Sequence, residues 1–245
     1  MKQNVFPVDK PIIGMLHLNG YSPREVHDLA KREIEQMYSN GVDAVLAENY
    51  YGTADDVAWA LDYLHSQYCG YVYGVNILGS AGMSFSLATE YDAKFIQIDS
   101  VCGHLEADKD ELFAGKLQEL RRKYPVFVLG GVRFKYQPVK SGRSTEEDLS
   151  IGKERCDAVV VTGSGTGKNT DMKKIRLFRD ALGDFPLFVG AGMTEETCRE
   201  QLSIADGAIV GTWFKENGRT SSPVDPERVR QFMNIVKQVR ESQQQ

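Results

Sequence analysis

The chain has 245 residues, with 29 basic against 34 acidic side chains (formal charge −5), 42% hydrophobic and 10% aromatic. That composition supports a sizeable core and excludes a globally disordered chain, and the mild acidity offers no basic stripe for nucleic acid. No apolar run approaches the ~18 residues of a bilayer span, the opening Met1–Pro7 lacks the apolar stretch of a secretory signal, and Cys69, Cys102, Cys156 and Cys198 stand singly, as suits a reducing cytoplasm.

In chain order, short apolar runs alternate with longer stretches of helical periodicity. The predicted strands are Ile12–Leu18, Ala44–Asn49, Val72–Leu78, Lys94–Ser100, Val126–Gly130, Ala158–Gly163, Leu187–Gly190 and Ala208–Thr212. Between them lie patterns such as Val26, Leu29, Ile34 and Met37, or Ile175, Phe178 and Leu182. Eight βα units with strands apolar on both faces predict a parallel sheet, and the fold class is α/β, a single (β/α)8 TIM barrel over residues 1–240 with a disordered tail at 241–245. An internal offset supports closure. Asp43 and Asp157, Asp92 and Asp206, and Pro11 and Pro125 are each separated by 114 residues, as two half-barrels of four units predict. Each Asp stands before a strand, where its carboxylate can cap backbone N–H groups in the helix-to-strand turn.

In such a barrel the chemistry lies where the strands end. There the sequence places His17, Glu48 and Asn49, Asn76, Gln97 and Asp99, Arg133 and Lys135, and Thr162. On the fourth strand, Phe95, Gln97 and Asp99 share the inward parity. His17, Glu48, Asp99 and Lys135 are the candidate catalytic groups, since carboxylates near an imidazole or ammonium divide acid and base roles. Asn49, Asn76, Gln97, Arg133, Thr162 and Lys168 are candidates for substrate binding. The bland alternative for Glu48 is a structural ion pair with Lys135 or Arg133. His17, Glu48, Asp99 and His104 have ligand chemistry for a divalent ion but no diagnostic spacing, so no cofactor is expected. His27 and His65 fall in helical stretches as surface or packing residues.

Glycines end the last two strands, in Val189-Gly190-Ala191-Gly192-Met193-Thr194 and Val210-Gly211-Thr212. Gly190, Gly192, Gly211 and Thr212 therefore form a candidate phosphate cradle, the frequent anion site of this fold. The run Thr162–Thr170 satisfies neither the Walker nor the dinucleotide pattern and reads as a lid, with Lys168 over the substrate and Asp171 capping the next helix.

These segments together resemble the BtpA/SgcQ family. The resemblance is carried by Ile13-Gly14-Met15-Leu16-His17-Leu18, by Gly41-Val42-Asp43-Ala44 through Glu48-Asn49, and by Gly74-Val75-Asn76-Ile77-Leu78. It continues through Asp157–Gly163, Thr166-Gly167, Asp206–Thr212, Phe214-Lys215, Gly218 and Pro223-Val224-Asp225. The chain departs from the family pattern at Gly79-Ser80, Gln97 and Tyr136, which alters the polar groups at the mouth. The resemblance implies a ribulose-phosphate-binding type of barrel, with members described as photosystem I biogenesis factors or nucleosidases. The expected function is an enzyme acting on a small phosphorylated sugar-like or nucleoside-like ligand by isomerase, lyase or glycoside-cleaving chemistry. The alternative is a non-catalytic biogenesis or assembly factor that keeps the barrel. No nucleic acid and no integral membrane segment are expected, and homo-oligomer formation stays open.

Overall fold

The computed structural model describes residues 5–242. Eight strands alternate with eight helices: β1 (Ile12–Leu16), α1 (Pro23–Ser39), β2 (Ala44–Glu48), α2 (Ala54–Gln67), β3 (Val72–Asn76), α3 (Ala81–Glu90), β4 (Phe95–Cys102), α4 (Ala107–Lys123), β5 (Phe127–Val132), α5 (Thr145–Arg155), β6 (Ala158–Val161), α6 (Met172–Leu182), β7 (Leu187–Val189), α7 (Glu195–Leu202), β8 (Gly207–Val210) and α8 (Pro226–Ser242). Neighbouring strands pair in parallel and β8 closes onto β1, giving the (β/α)8 barrel. All eight predicted strands are present, each shifted at its ends by a few residues. Helix α8 runs through Glu241 and Ser242, so the expected tail does not begin there; residues 243–245 lie outside the described residues.

Side chains alternate in and out along a strand, and the barrel sorts them into two cores. Outward residues such as Val45, Val75, Ile96 and Val159 pack under the helices. Inward residues Ile13, Met15, Leu46, Phe95, Leu129, Val160, Phe188 and Ile209 fill the shaft. The shaft takes large rings because small residues face them: a Cβ at Gly74 would lie 2.4 Å from the Phe95 ring, and one at Gly207 2.5 Å from Phe188. Phe6, in the segment leading to β1, plugs the strand-start end against Phe95 (ring centroids 5.4 Å) and Phe188 (5.8 Å).

Three of the four pre-strand aspartates share a task, which is a clamp across strands and not the local turn cap expected of them. Asp43 accepts the N–H of Ile12 (2.7 Å), Asp157 that of Val128 (2.9 Å) and Asp206 that of Leu187 (2.9 Å). Each binds the start of the preceding strand and also pairs with an arginine, Arg240, Arg121 and Arg179 in turn. Asp92 differs. Its backbone turns to φ +55° and its exposed carboxylate meets Lys94 at 2.6 Å.

The segment after β8 is fastened by a buried ion pair. The Lys215 ammonium donates to both carboxylate oxygens of Glu33 on α1 at 2.7 Å, and Glu33 also accepts the Val224 N–H at 3.0 Å. Both side chains are almost wholly buried. Removing one partner strands the other charge in low dielectric. Lys215→Met is therefore expected to lower unfolding stability by about 3–5 kcal/mol, and the double variant with Glu33→Leu to recover most of it, as urea denaturation would show.

Candidate active site

The two-residue period carries the shaft upward into the site. Continuing the inward columns past their apolar members gives Glu48 on β2, Asn76 on β3 and Asp99 on β4, and, one residue past their strands, His17 after β1, Thr162 after β6, Gly190 after β7 and Gly211 after β8. Polar side chains meet at one rim because the residues below them are already packed dry.

Asn76 is the centre of this rim. Its amide nitrogen donates to Glu48 at 2.7 Å and to Asp99 at 3.0 Å, and Gln97 donates to the same Asp99 oxygen at 3.1 Å. Glu48, Asn76 and Gln97 are each at most 5% exposed. Burial pushes the Glu48 carboxyl up to about 7, reinforced by the Asp99 charge and opposed by Lys135 and the Asn76 hydrogen bond. The expected alternative, an ion pair of Glu48 with Lys135 or Arg133, is not formed; among the described residues the partner of Glu48 is the neutral Asn76 amide.

His17 is buried with Nδ1 lacking a hydrogen-bond partner. Its ring meets Tyr50 edge-on at 5.2 Å, and a Cβ at Gly211 would lie 2.9 Å from its Cε1, so β8 must end in glycine beside it. Burial, then the charges of Lys215 and Lys135, hold its pKa well below the ordinary 6.5, leaving it neutral. His17, Glu48, Tyr50 and Lys135 line one small pocket with Gly190, Gly192, Gly211 and Thr212, about 30 Å³ in volume. The sequence reading missed Tyr50, which sits one residue beyond the predicted strand and carries no pattern of its own.

Thr166 and Gly167, from the segment expected to be a lid, line that pocket. Thr166 donates its N–H to the Tyr136 hydroxyl at 2.8 Å, and Thr170 bonds the Ala191 carbonyl at 3.0 Å. Gln201 on α7 holds Asn169 at 2.8 Å, and Asp171 caps α6 through the Lys173 N–H at 2.7 Å. At Gly192 (φ +66°) a Cβ would lie 2.2 Å from the Lys168 carbonyl, so the lid backbone rests directly on the β7 turn. Lys168 comes to the site through its backbone. Gly190 donates its N–H to the Val161 carbonyl at 2.8 Å, so its own amide is engaged in the sheet, and a Cβ there would lie 2.3 Å from Val160 Cγ1.

Three expected substrate-binding residues have framework contacts instead. Arg133 has the inward parity, but a φ of +48° turns it out of the column. Its guanidinium bonds Asp148 (2.8 Å), Thr145 (2.8 Å) and the Arg143 carbonyl (2.5 Å). Asp148 also receives Arg143, while Asp110 receives Arg143 and Arg155, a buried charge network behind the β4 and β5 ends. Asn49 accepts the Leu78 N–H at 2.7 Å, and Thr162 accepts the Lys135 N–H at 2.9 Å, which sets the base of Lys135. His104 lines a neighbouring chamber, and His27 stacks on Trp59 at 3.8 Å on the helical surface. Among the described residues no three His, Cys, Asp or Glu side chains converge as a metal site, so the spread of His17, Glu48, Asp99 and His104 does not form one. A larger cavity of about 660 Å³ lies at the strand-start end, lined by Val5, Tyr71, Tyr73 and Pro125; it shares none of the rim residues.

The BtpA family profile matches residues 8–238. The photosystem I biogenesis protein BtpA of Synechocystis is 24% identical, over 94% of this chain and 89% of its own. The sgc region protein SgcQ of Escherichia coli is 27% identical, over 97% and 98%. Among solved structures, phosphoribosyl anthranilate isomerase of Thermus thermophilus superposes with a TM-score of 0.61 at 12% identity, over 94% and 100% of the two chains. Among the described residues no helix is long and apolar enough to cross a membrane.

His17 supplies a test of the site's electrostatics. Its folded pKa lies below the unfolded value, so the unfolded chain binds the extra proton more readily and stability falls as pH drops below about 6.5. Replacing it by His17→Gln is expected to flatten that acid limb, measured as melting temperature between pH 7.5 and 5; an unchanged limb contradicts a buried neutral imidazole.

Proposed function

The chain belongs to the BtpA family, and from that premise we propose that it is an enzyme that seats a small phosphorylated sugar-like or nucleoside-like ligand at this rim and moves a proton with Glu48. The observation that carries the reading is a buried carboxyl with a pKa of about 7 in the same pocket as Lys135, a neutral imidazole and the glycine-ended β7 and β8. The phosphate would rest on the turns bearing Gly192, Gly211 and Thr212, which line the pocket together with Lys135. The solved neighbour's name, phosphoribosyl anthranilate isomerase, fits a phosphorylated ligand.

The chemistry best matched to these groups is isomerase-type proton transfer beside a carbonyl. The Glu48 carboxylate takes the C–H proton, the electron pair moves onto the carbonyl oxygen, and the Lys135 ammonium stabilises the oxyanion. Burial, reinforced by the Asp99 charge, holds the Glu48 pKa at about 7, and Asn76 fixes the carboxylate. Neutral His17 can exchange a proton with the oxygen. The Tyr136–Thr166 contact holds the loop beside the pocket and would part if that loop moves to admit the ligand.

Incubation with ribose 5-phosphate and ribulose 5-phosphate in deuterated buffer tests this by proton NMR. Exchange at the carbon beside the carbonyl is expected, rising with pH through about 7 as Glu48 ionises, and lower by about 100-fold or more in Glu48→Gln. A second reading, a barrel that binds its ligand without turnover in an assembly role, is favoured by the name of the Synechocystis relative. Stabilisation by sugar phosphates with no exchange above buffer decides for that reading.

A further inference from the structure

Beside the carboxylate pair lies a second chamber of about 230 Å³, between the ends of β3 and β4 and the start of α3. Its walls include Ser80, Gln97, Asp99, His104, Phe113 and Gln137. Gln97 is only 4% exposed, and its Nε2 is engaged by Asp99 while its Oε1 has no partner. A buried acceptor left open is costly unless something donates to it. His104 Nδ1 is likewise without a partner, and burial lowers its pKa, so this ring adds no positive charge near neutrality. Among the described residues no lysine or arginine lines the chamber. The charged group on its wall is therefore the Asp99 carboxylate, beside the neutral side chains of Ser80, Gln97 and Gln137, whereas the pocket across Glu48 has Lys135 and the glycine turns.

We infer that this chamber is a second subsite for the far end of the ligand, and that it takes an uncharged group rich in hydrogen-bond donors, such as the terminal hydroxyls of a polyol chain, while refusing a carboxylate. The inference rests on the reading that the phosphate sits at the β7–β8 turns, and adds the chemistry of the opposite end. A hydroxyl there donates to Asp99, the carboxylate on the chamber wall. A carboxylate would place a negative charge beside Asp99 and near Glu48 with no cation to offset it, an unfavourable juxtaposition in a desolvated site.

Glucitol 6-phosphate and 6-phosphogluconate test this, because they share a chain and a phosphate and differ at the far carbon, a hydroxymethyl against a carboxylate. Binding of both, and of inorganic phosphate, is measured by calorimetry at pH 8. Glucitol 6-phosphate is expected to bind at least about tenfold more tightly than 6-phosphogluconate and more tightly than inorganic phosphate. The near-isosteric Asp99→Asn should narrow the gap between the two esters while leaving inorganic phosphate unchanged. If inorganic phosphate binds but 6-phosphogluconate equals or exceeds the polyol ester, the second subsite is wrong and the phosphate reading stands. If phosphate and both esters fail to bind, the phosphate reading itself falls and takes the subsite with it.

Discussion

Closure of eight parallel strands is the constraint from which the rest follows. It forces every second side chain of each strand into one shaft, and a shaft filled by Ile13, Leu46, Phe95, Val160 and Phe188 admits polar groups only where the packing ends. His17, Glu48, Asn76 and Asp99 come from four strands distant in sequence, yet each stands one or two places above an apolar member of its own column. Their meeting is a result of register, and the hydrogen bonds of Asn76 to two carboxylates finish what the register begins. The neutral amide allows the carboxylates to share a dry place without a cation in contact, and the raised pKa of Glu48 is the electrostatic cost of that arrangement.

Much of this is legible in the sequence because it obeys local periods. Strand-length apolar runs, glycine-ended strands and the inward parity of Gln97 and Asp99 need no tertiary information. Misreadings arise where the backbone leaves the period. Arg133 occupies an inward position by counting, but its left-handed φ turns it toward Asp148, and no feature of the run Gly130-Gly131-Val132-Arg133 signals that. Asn49 and Thr162 look like site residues because they are polar at strand ends. Yet such ends also carry backbone N–H groups that need acceptors, and Leu78 and Lys135 claim them.

Long-range partnerships were the least visible. Lys215 and Glu33 are 182 residues apart with no motif joining them, and their burial emerges only when α1 meets the segment after β8. The Phe6 plug is similar: one aromatic ahead of the first strand reads as an ordinary terminal residue until the open bottom of the shaft is seen. The 114-residue offset was visible, but not its meaning. Asp43, Asp157 and Asp206 bind the preceding strand with an arginine behind each, while Asp92 keeps the spacing and not the task.

Those three aspartate–arginine clamps sit at the strand-start end of the barrel, and the carboxylates, imidazole and glycine turns sit at the other. No residue belongs to both sets. The container and its mouth thus have separate tolerances: substitutions at the mouth can change its polar groups without loosening the clamps that hold the staves together. A chain built this way can change what its mouth binds while remaining the same barrel.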